Sequence, residues 1–205
     1  MALTFPLSSQ DVDRLASVKT FEQYLEISEE GKFEFVAGNV IPVEPPSEEH
    51  NALSGYLYHV TGVYVEETEN GRVMGDNYTQ QLGPETNRIP DVSFFRKDSL
   101  GKIQHLHSEG GADLIIEVLS PSTRRIDRGE KFYEYEAAGV EEYWMVDPER
   151  KTAEFYRLTD GRYIPVLPDA EGRVHSSTIP GFYLRVSWLW ERPKITTVLR
   201  ELGVL

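Results

Sequence analysis

The feature that most constrains the fold is a carboxylate set within the most apolar run of the chain. Residues 114–119 read LIIEVL, so Glu117 lies inside a segment typical of a buried β-strand. Side chains alternate along a strand, which places Glu117 on the same face as Asp113 and Leu119. A buried carboxylate costs free energy unless it is paired, protonated or bound to a metal. The sequence therefore predicts a strand in which Glu117 needs a chemical partner.

A second carboxylate, Asp91, lies near the start of another predicted strand, residues 90–96. Two strand carboxylates brought together would repel each other as anions, and a divalent cation that prefers oxygen ligands would relieve that repulsion. The alternative is an ion pair between Glu117 and an arginine such as Arg124 or Arg125. The residue types alone leave both interpretations open.

Composition narrows the class of protein. The 205 residues, with 40% hydrophobic and 27% charged side chains, predict one globular domain over residues 1–205. The absence of cysteine excludes disulfides, thiolate metal sites and cysteine nucleophiles. No apolar run approaches the ~18 residues of a membrane helix, and the first residues lack a signal-peptide pattern, so we expect a cytoplasmic protein. The net charge of −13 disfavours a large nucleic-acid surface, but it leaves metals, small ligands, protein partners and a local basic patch open.

The hydrophobic periodicity predicts a mixture of helices and strands. Helical patterns cover residues 9–29, 48–66, 127–138 and 188–202. A hairpin is predicted at 32–43, and further strands at 72–82, 90–96, 112–119, 141–147, 152–157, 162–167 and 182–186. Residues 98–111 are predicted to form a loop. This order favours an α+β or mixed α/β class built around one sheet.

A basic segment follows the acidic strand. Residues 120–131 contain the basic side chains Arg124, Arg125, Arg128 and Lys131, within a chain of negative net charge. One interpretation is a cationic patch beside the acidic site. The other is a solvated helix start, in which Asp127 and Lys131 form an i,i+4 ion pair worth about 0.3–0.5 kcal/mol.

Several segments in order resemble one protein family. They are residues 89–91 (IPD), 116–123 (IEVLSPST), 127–131 (DRGEK) and 139–148 (GVEEYWMVDP), preceded by 32–38 (KFEFVAG) and 46–50 (PSEEH). Together they are similar to the Uma2 family of restriction-endonuclease-like proteins, part of the PD-(D/E)XK nuclease superfamily, over about residues 20–190. The resemblance implies a restriction-endonuclease-like core with a central mixed sheet flanked by helices. An N-terminal hairpin and a β-rich C-terminal part would complete it.

The resemblance also implies a site. Asp91 and Glu117 would be the motif acids that hold Mg²⁺ or Mn²⁺, and Glu34 would match an upstream acid of the ligand set. The usual motif lysine, two residues after the acid, is replaced here by Leu119. The basic role would fall to Lys131 on the following helix. The alternative for Glu34 is a solvent-facing position in the hairpin.

Other residues are weaker candidates. Gln81 and Tyr135 are candidate substrate-binding residues, Tyr135 because it lies one helical turn from Lys131. Arg124 and Arg125 are candidates for contacts with a phosphate backbone, although solvated charge explains them equally well. We expect His50 to pack or to cap near a helix start rather than to act as a base.

Three functional hypotheses follow. The first is a metal-dependent endonuclease that hydrolyses DNA, for which cutting both strands favours a homodimer, although no residue defines an interface. The second is a catalytically inactive nuclease-fold module that binds nucleic acid or protein, which Leu119 and the negative net charge favour. The third is a carboxylate-pair glycosidase, which gives no use for Lys131 or the arginines.

Overall fold

Two β-sheets and a small hairpin form the framework of the molecule. The computed structural model describes residues 8–205. The α-helices are α1 (Ser9–Ser17), α2 (Phe21–Ser28), α3 (Glu48–Thr68), α4 (Arg124–Asp127), α5 (Glu130–Ala137), α6 (Trp188–Glu191) and α7 (Ile195–Glu201), and a 3₁₀-helix spans Lys97–Lys102. The strands are β1 (Phe33–Val36), β2 (Asn39–Pro42), β3 (Gly71–Gly75), β4 (Thr79–Gly83), β5 (Thr86–Arg88), β6 (Val92–Arg96), β7 (His107–Glu109), β8 (Leu114–Val118), β9 (Glu142–Asp147), β10 (Thr152–Thr159), β11 (Arg162–Pro165), β12 (Arg173–His175) and β13 (Tyr183–Arg185).

The larger sheet contains six strands in the order β11-β10-β9-β8-β6-β3. It is mixed, because β8 and β9 run parallel while the other neighbours are antiparallel. The alternation predicted around Glu117 is confirmed. Ile116 packs in an apolar cluster with Leu57 of α3, and Ile115 packs in a separate cluster with Tyr135 of α5. Burial of both faces explains why β8 is almost wholly apolar.

The smaller sheet contains five strands in the order β2-β1-β5-β4-β7. The predicted hairpin is confirmed as β1 and β2, and both turn residues, Ala37 and Gly38, have positive φ angles of 49° and 73°. The prediction of one sheet is wrong, because residues 72–82 form two strands. A turn after Gly75 leaves β3 in the larger sheet and directs β4 into the smaller one.

Two predicted helices, 9–29 and 188–202, are each divided in two, and the predicted helix 127–138 is confirmed as α5, with the short helix α4 directly before it. Within the segment 9–29, Thr20 caps α2 by accepting a hydrogen bond from the Gln23 backbone N–H, so a second helix begins there. Gly129 separates α4 from α5, and Pro193 lies between α6 and α7. The predicted loop 98–111 holds part of the 3₁₀-helix and the short strand β7. No helix in residues 8–205 is long and apolar enough to cross a membrane.

The chain crosses from the smaller sheet to the larger one between β5 and β6, through Ile89-Pro90-Asp91. Proline has no backbone N–H to give to a strand ladder, which ends β5 before the crossing. Helix α3 covers one face of the larger sheet and α5 covers the other. A mixed sheet flanked by helices, with an N-terminal hairpin and a strand-rich C-terminal part, confirms the predicted fold class.

Candidate active site

The two motif carboxylates meet at the crossing between the sheets. The β6–β8 register pairs Val92 with Ile116, so the next residues along, Asp91 and Glu117, lie opposite each other. Asp91 Oδ2 accepts a hydrogen bond of 2.7 Å from the backbone N–H of Val118. Both carboxyl side chains are almost completely buried, with 7% exposure for Asp91 and 3% for Glu117. The structure therefore brings these two acids together away from bulk water.

Lys131 reaches the same place from helix α5. Its Nζ lies 2.9 Å from Glu117 Oε1, 3.1 Å from Asp127 Oδ1 and 3.6 Å from Glu34 Oε1. The i,i+4 pair with Asp127 is thus present, but it is buried rather than solvated. Leu119, at the usual lysine position, is 1% exposed and packs in the apolar cluster with Ile115. The ammonium group enters from the helix because core packing occupies the strand position.

Tyr135 completes the contacts of Glu117. Its hydroxyl donates a 2.8 Å hydrogen bond to Glu117 Oε1, the same oxygen that Lys131 contacts. One helical turn separates the two donors, so both project from the same face of α5. Burial and the nearby Glu117 charge raise the pKa of the Tyr135 hydroxyl well above its ordinary value, so it remains a donor.

Burial controls the charge on Glu117. It raises the pKa of the Glu117 carboxyl to about 8, and the negative charges of Asp127 and Asp91 act in the same direction against the attraction of Lys131. Burial also disfavours the Lys131 ammonium, but Glu117, Glu34 and Asp127 outweigh it and hold the pKa of Lys131 well above its ordinary value. The site thus contains a fixed cation and a carboxyl group that takes up a proton near neutral pH.

Glu34 is held by a buried guanidinium. Its Oε2 accepts a 2.7 Å hydrogen bond from Arg88, and its Oε1 accepts one of 3.3 Å from the backbone of Ile89. Arg88 also donates to Glu134 of α5, with Nε 2.6 Å from Oε2. Burial opposes the charge on Glu34, but Lys131 and Arg88 lower its pKa below the ordinary value. The solvent-facing alternative for Glu34 is wrong, because only 7% of the residue is exposed.

The contact between His50 and Asp91 was not predicted from the sequence. The Nε2 of His50 lies 3.3 Å from Asp91 Oδ2, and the Nδ1 of His50 is buried without a hydrogen-bond partner. Burial lowers the pKa of His50, but the hydrogen bond and the charge of Asp91 outweigh it and give a net increase. The same interactions lower the pKa of Asp91 against the effect of its burial. The signals in the sequence were the family-like segment 46–50, which ends at His50, and the position of His50 in the first turn of α3, capped by Ser47.

Three of the predicted residues lie away from this cluster. Arg124 pairs with Asp147, at 2.7 Å, so it does not neutralise Glu117. Arg125 is exposed and makes no ion pair among the described residues. Gln81 is paired with Asn87 in the strand register, and Asn87 is paired with Phe35, which places all three on the opposite face of the smaller sheet from Glu34. Because Arg124 pairs with Asp147 and Arg125 makes no ion pair among the described residues, the alternative of an arginine partner for Glu117 is wrong, and the cation beside Glu117 is Lys131.

The donor set can be tested against the predicted metal. Within residues 8–205, no group of three or more acidic or histidine side chains is arranged to hold a metal ion. The chemistry nevertheless fits, because Asp91 and Glu117 supply the hard oxygen ligands that Mg²⁺ and Mn²⁺ prefer. The buried Oδ1 of Asp127 makes no hydrogen bond, and its partner is the Lys131 ammonium at 3.1 Å. The Lys131 ammonium takes the position of a cation beside Glu117 in the present arrangement.

Comparison with known proteins identifies the class and then the family. The crystal structure of a putative nuclease belonging to DUF820 from Anabaena variabilis matches with a TM-score of 0.69 and 19% sequence identity, covering 84% of this chain and 97% of that chain. The chain therefore has a nuclease fold. The sequence profile of Uma2, described as putative restriction endonuclease, matches residues 19–187, so the chain belongs to this family. No curated protein is similar enough to match.

Proposed function

We propose that this protein is a metal-dependent endonuclease that hydrolyses DNA phosphodiester bonds at the Asp91–Glu117 pair. The observation that carries the proposal is the buried contact of Glu117 with Lys131, opposite a second acid on the neighbouring strand. Family membership independently supports a nuclease. Neither the family nor the fold supports the glycosidase hypothesis.

Asp91 and Glu117 would hold the Mg²⁺ or Mn²⁺ ion. A bound divalent cation lowers the pKa of a water molecule and offsets the charge that grows on the phosphate during in-line attack. Glu117 would bind the ion as the carboxylate, and the Tyr135 hydroxyl would hold one of its two oxygens by hydrogen bonding. His50 and the Val118 amide fix the orientation of Asp91.

Lys131 would act on the phosphate or on the attacking water. With the ion on Glu117, the Lys131 ammonium group would be available to donate hydrogen bonds to the attacked phosphate or to orient the attacking water. Asp127 and Glu34 keep this ammonium charged and close to the site. A lysine on a helix can thus take over the task of a lysine on the strand.

The second candidate is a nuclease-fold module that binds without cutting. The ion pairs of Lys131 favour it, because they satisfy Glu117 without a metal. The two candidates differ in cation-dependent cleavage. Calorimetric titration with Mg²⁺ and Mn²⁺, combined with a cleavage assay on supercoiled plasmid, separates them.

The cleavage assay compares three proteins: wild type, Glu117→Gln and the control Glu67→Gln, which removes an exposed carboxylate on α3. We expect nicking that requires the cation, is about a thousandfold slower in Glu117→Gln, and is unchanged in Glu67→Gln. Cation binding without cleavage by any protein would support the binding module. Equal cleavage by all three would show that the chemistry lies elsewhere.

A further inference from the structure

An open groove of about 680 Å³ lies along the segment that connects strand β8 to helix α5. It is lined by Pro121, Arg124, Arg125, Arg128, Gly129 and Arg150. No acidic side chain lines it, although the chain as a whole carries a net charge of −13. We call this surface the arginine groove. A concentration of guanidinium groups against such a background is typical of anion recognition.

Two of the arginines are anchored. Arg124 donates to Asp147 at 2.7 Å and to Glu149 at 2.8 Å, and Arg128 donates to Glu154 at 2.8 Å. These ion pairs fix the two guanidinium groups in the wall of the groove and neutralise most of their charge. Arg128 Nη1 is buried without a hydrogen-bond partner and lies 4.0 Å from Asp147 Oδ2.

The other two arginines are unpaired. The side chains of Arg125 and Arg150 are exposed, and within residues 8–205 they have no ion pair or hydrogen bond. The groove therefore presents two uncompensated positive charges beside two anchored guanidinium groups. Guanidinium groups bind phosphate oxygens in pairs of parallel hydrogen bonds, which makes a phosphate chain a suitable ligand.

The groove and the carboxylate site share one short segment. Asp127 is the last residue of α4 and contacts Lys131 inside the site, whereas Arg124, Arg125 and Arg128 line the groove outside. A polymer lying in the groove would thus contact the segment that carries Asp127, which is next to the carboxylate site along the chain.

We infer that the arginine groove holds the phosphate backbone of DNA beside the bond to be cut, and that Arg125 and Arg150 make the principal contacts. This inference rests on the proposed function for the identity of the polymer. Phosphate contacts carry no base information, so the groove contributes affinity independently of sequence. It also refines the sequence-based candidates, because Arg124 is anchored by carboxylates and Arg150 lies outside the basic segment.

The test is a titration of fluorescein-labelled duplex DNA with the protein, in which fluorescence anisotropy measures binding. The buffer contains Ca²⁺ in place of Mg²⁺. The double variant Arg125→Gln with Arg150→Gln removes the two unpaired charges. The control double variant, Arg72→Gln with Arg200→Gln, removes two exposed arginines that likewise lack ion pairs within the described part of the chain. Both changes make the net charge more negative by the same amount, so only position distinguishes them.

We expect the groove variant to bind about tenfold more weakly or worse, with a salt dependence that is shallower by about two counterions. The control variant should retain the wild-type affinity and slope. Two duplexes of unrelated sequence should lose affinity equally. Equal weakening of both variants, or no weakening of the groove variant, would overturn the inference.

Cleavage measurements separate this inference from the proposed function. If the wild-type protein cuts DNA and the groove variant binds and cuts equally well, the groove inference fails while the proposed function stands. If the groove variant alone loses binding but no protein cuts DNA, the groove inference stands and hydrolysis fails. If the wild-type protein neither binds nor cuts DNA, both fail.

Discussion

Two buried glutamates on neighbouring strands show how differently this fold treats a carboxylate. Glu117 of β8 and Glu142 of β9 are 3% and 2% exposed. The parallel register pairs Leu114 with Glu142 and Glu117 with Met145, so the two acids lie toward opposite ends of the pair of strands. Their burial is the same, and only their surroundings differ.

Neutral donors surround Glu142. Its oxygens accept hydrogen bonds from the hydroxyls of Ser176 at 2.5 Å, Ser177 at 3.0 Å and Thr178 at 2.8 Å, and from the Ser177 backbone at 2.8 Å. Arg157 adds a more distant charge at 3.8 Å. Such a shell satisfies the carboxylate fully and leaves no place for another ligand.

Glu117 has a different shell. It receives hydrogen bonds from the Lys131 ammonium and the Tyr135 hydroxyl, and both go to the same oxygen. Two further acids, Asp91 and Asp127, raise its pKa in addition to the effect of burial. The comparison teaches that burial alone does not mark a functional acid. The nearby acids and the single ammonium partner are what distinguish Glu117 from Glu142 and make it the candidate for a functional acid.

The largest expected effect concerns pH. Folded Glu117 has a pKa of about 8 against an ordinary value of 4.5, so between these values the folded state binds more protons than the unfolded state. The free energy of unfolding therefore falls as the pH rises through this range. Urea unfolding of wild type and Glu117→Gln without divalent cation should show a steeper fall with pH in wild type, because His50, whose pKa is also raised, contributes to both proteins. Parallel curves would contradict the assignment.

The next effect concerns the cation. Lys131→Met leaves the surrounding carboxylates without their ammonium partner, and we expect a loss of about 3 kcal/mol in the free energy of unfolding. Because the ammonium and Mg²⁺ compete for Glu117, Mg²⁺ should raise the melting temperature more in this variant than in wild type. The control Lys97→Met removes a lysine whose side chain is 67% exposed and should change little. An equal Mg²⁺ shift in all three proteins would remove the argument for competition.

Glu142→Gln tests the other side of the comparison. The amide turns one acceptor into a donor that faces the Ser177 and Thr178 donors, so we expect a loss of about 2 kcal/mol in stability. Cleavage by the folded variant should remain at the wild-type rate. Urea unfolding and the plasmid assay measure both quantities. A variant with full stability but no cleavage would reverse the roles assigned to the two glutamates.

The smallest effect is expected at His50. His50→Ala removes the side chain that orients Asp91, and we expect Mg²⁺ binding to weaken about tenfold. His59→Ala, an exposed histidine on the same helix, serves as the control. Calorimetry measures the affinity directly, so the result does not depend on activity. Unchanged Mg²⁺ affinity in His50→Ala would limit His50 to packing.

The sequence predicted the strands around Glu117 well, because an apolar run of strand length is a local feature of the sequence. It also predicted the opposite faces of Ile115 and Ile116, which pack in different apolar clusters. The convergence of Lys131 on Glu117 was implied only by family resemblance, since the two residues come from separate elements. Local sequence patterns determine the face on which a side chain lies, whereas tertiary packing determines which residues it contacts.

The missed residues follow from the same limit. Arg88 and Glu134 meet because the smaller sheet packs against α5, and no local pattern records that contact. The split of residues 72–82 between two sheets depends on a short turn after Gly75, which alternation alone did not reveal. Strands β5 and β12 have three residues each, too few to show a periodicity.

The buried guanidinium of Arg88 joins the N-terminal hairpin to the rest of the molecule. It is 1% exposed and lies between Glu34 of β1 and Glu134 of α5. If the hairpin separated by itself, Arg88 would lose Glu34 while Lys131 lost part of its negative surroundings, and buried charge without a partner is costly. The hairpin should therefore open cooperatively with the larger sheet, and its backbone amides should exchange hydrogen as slowly as those of the central strands.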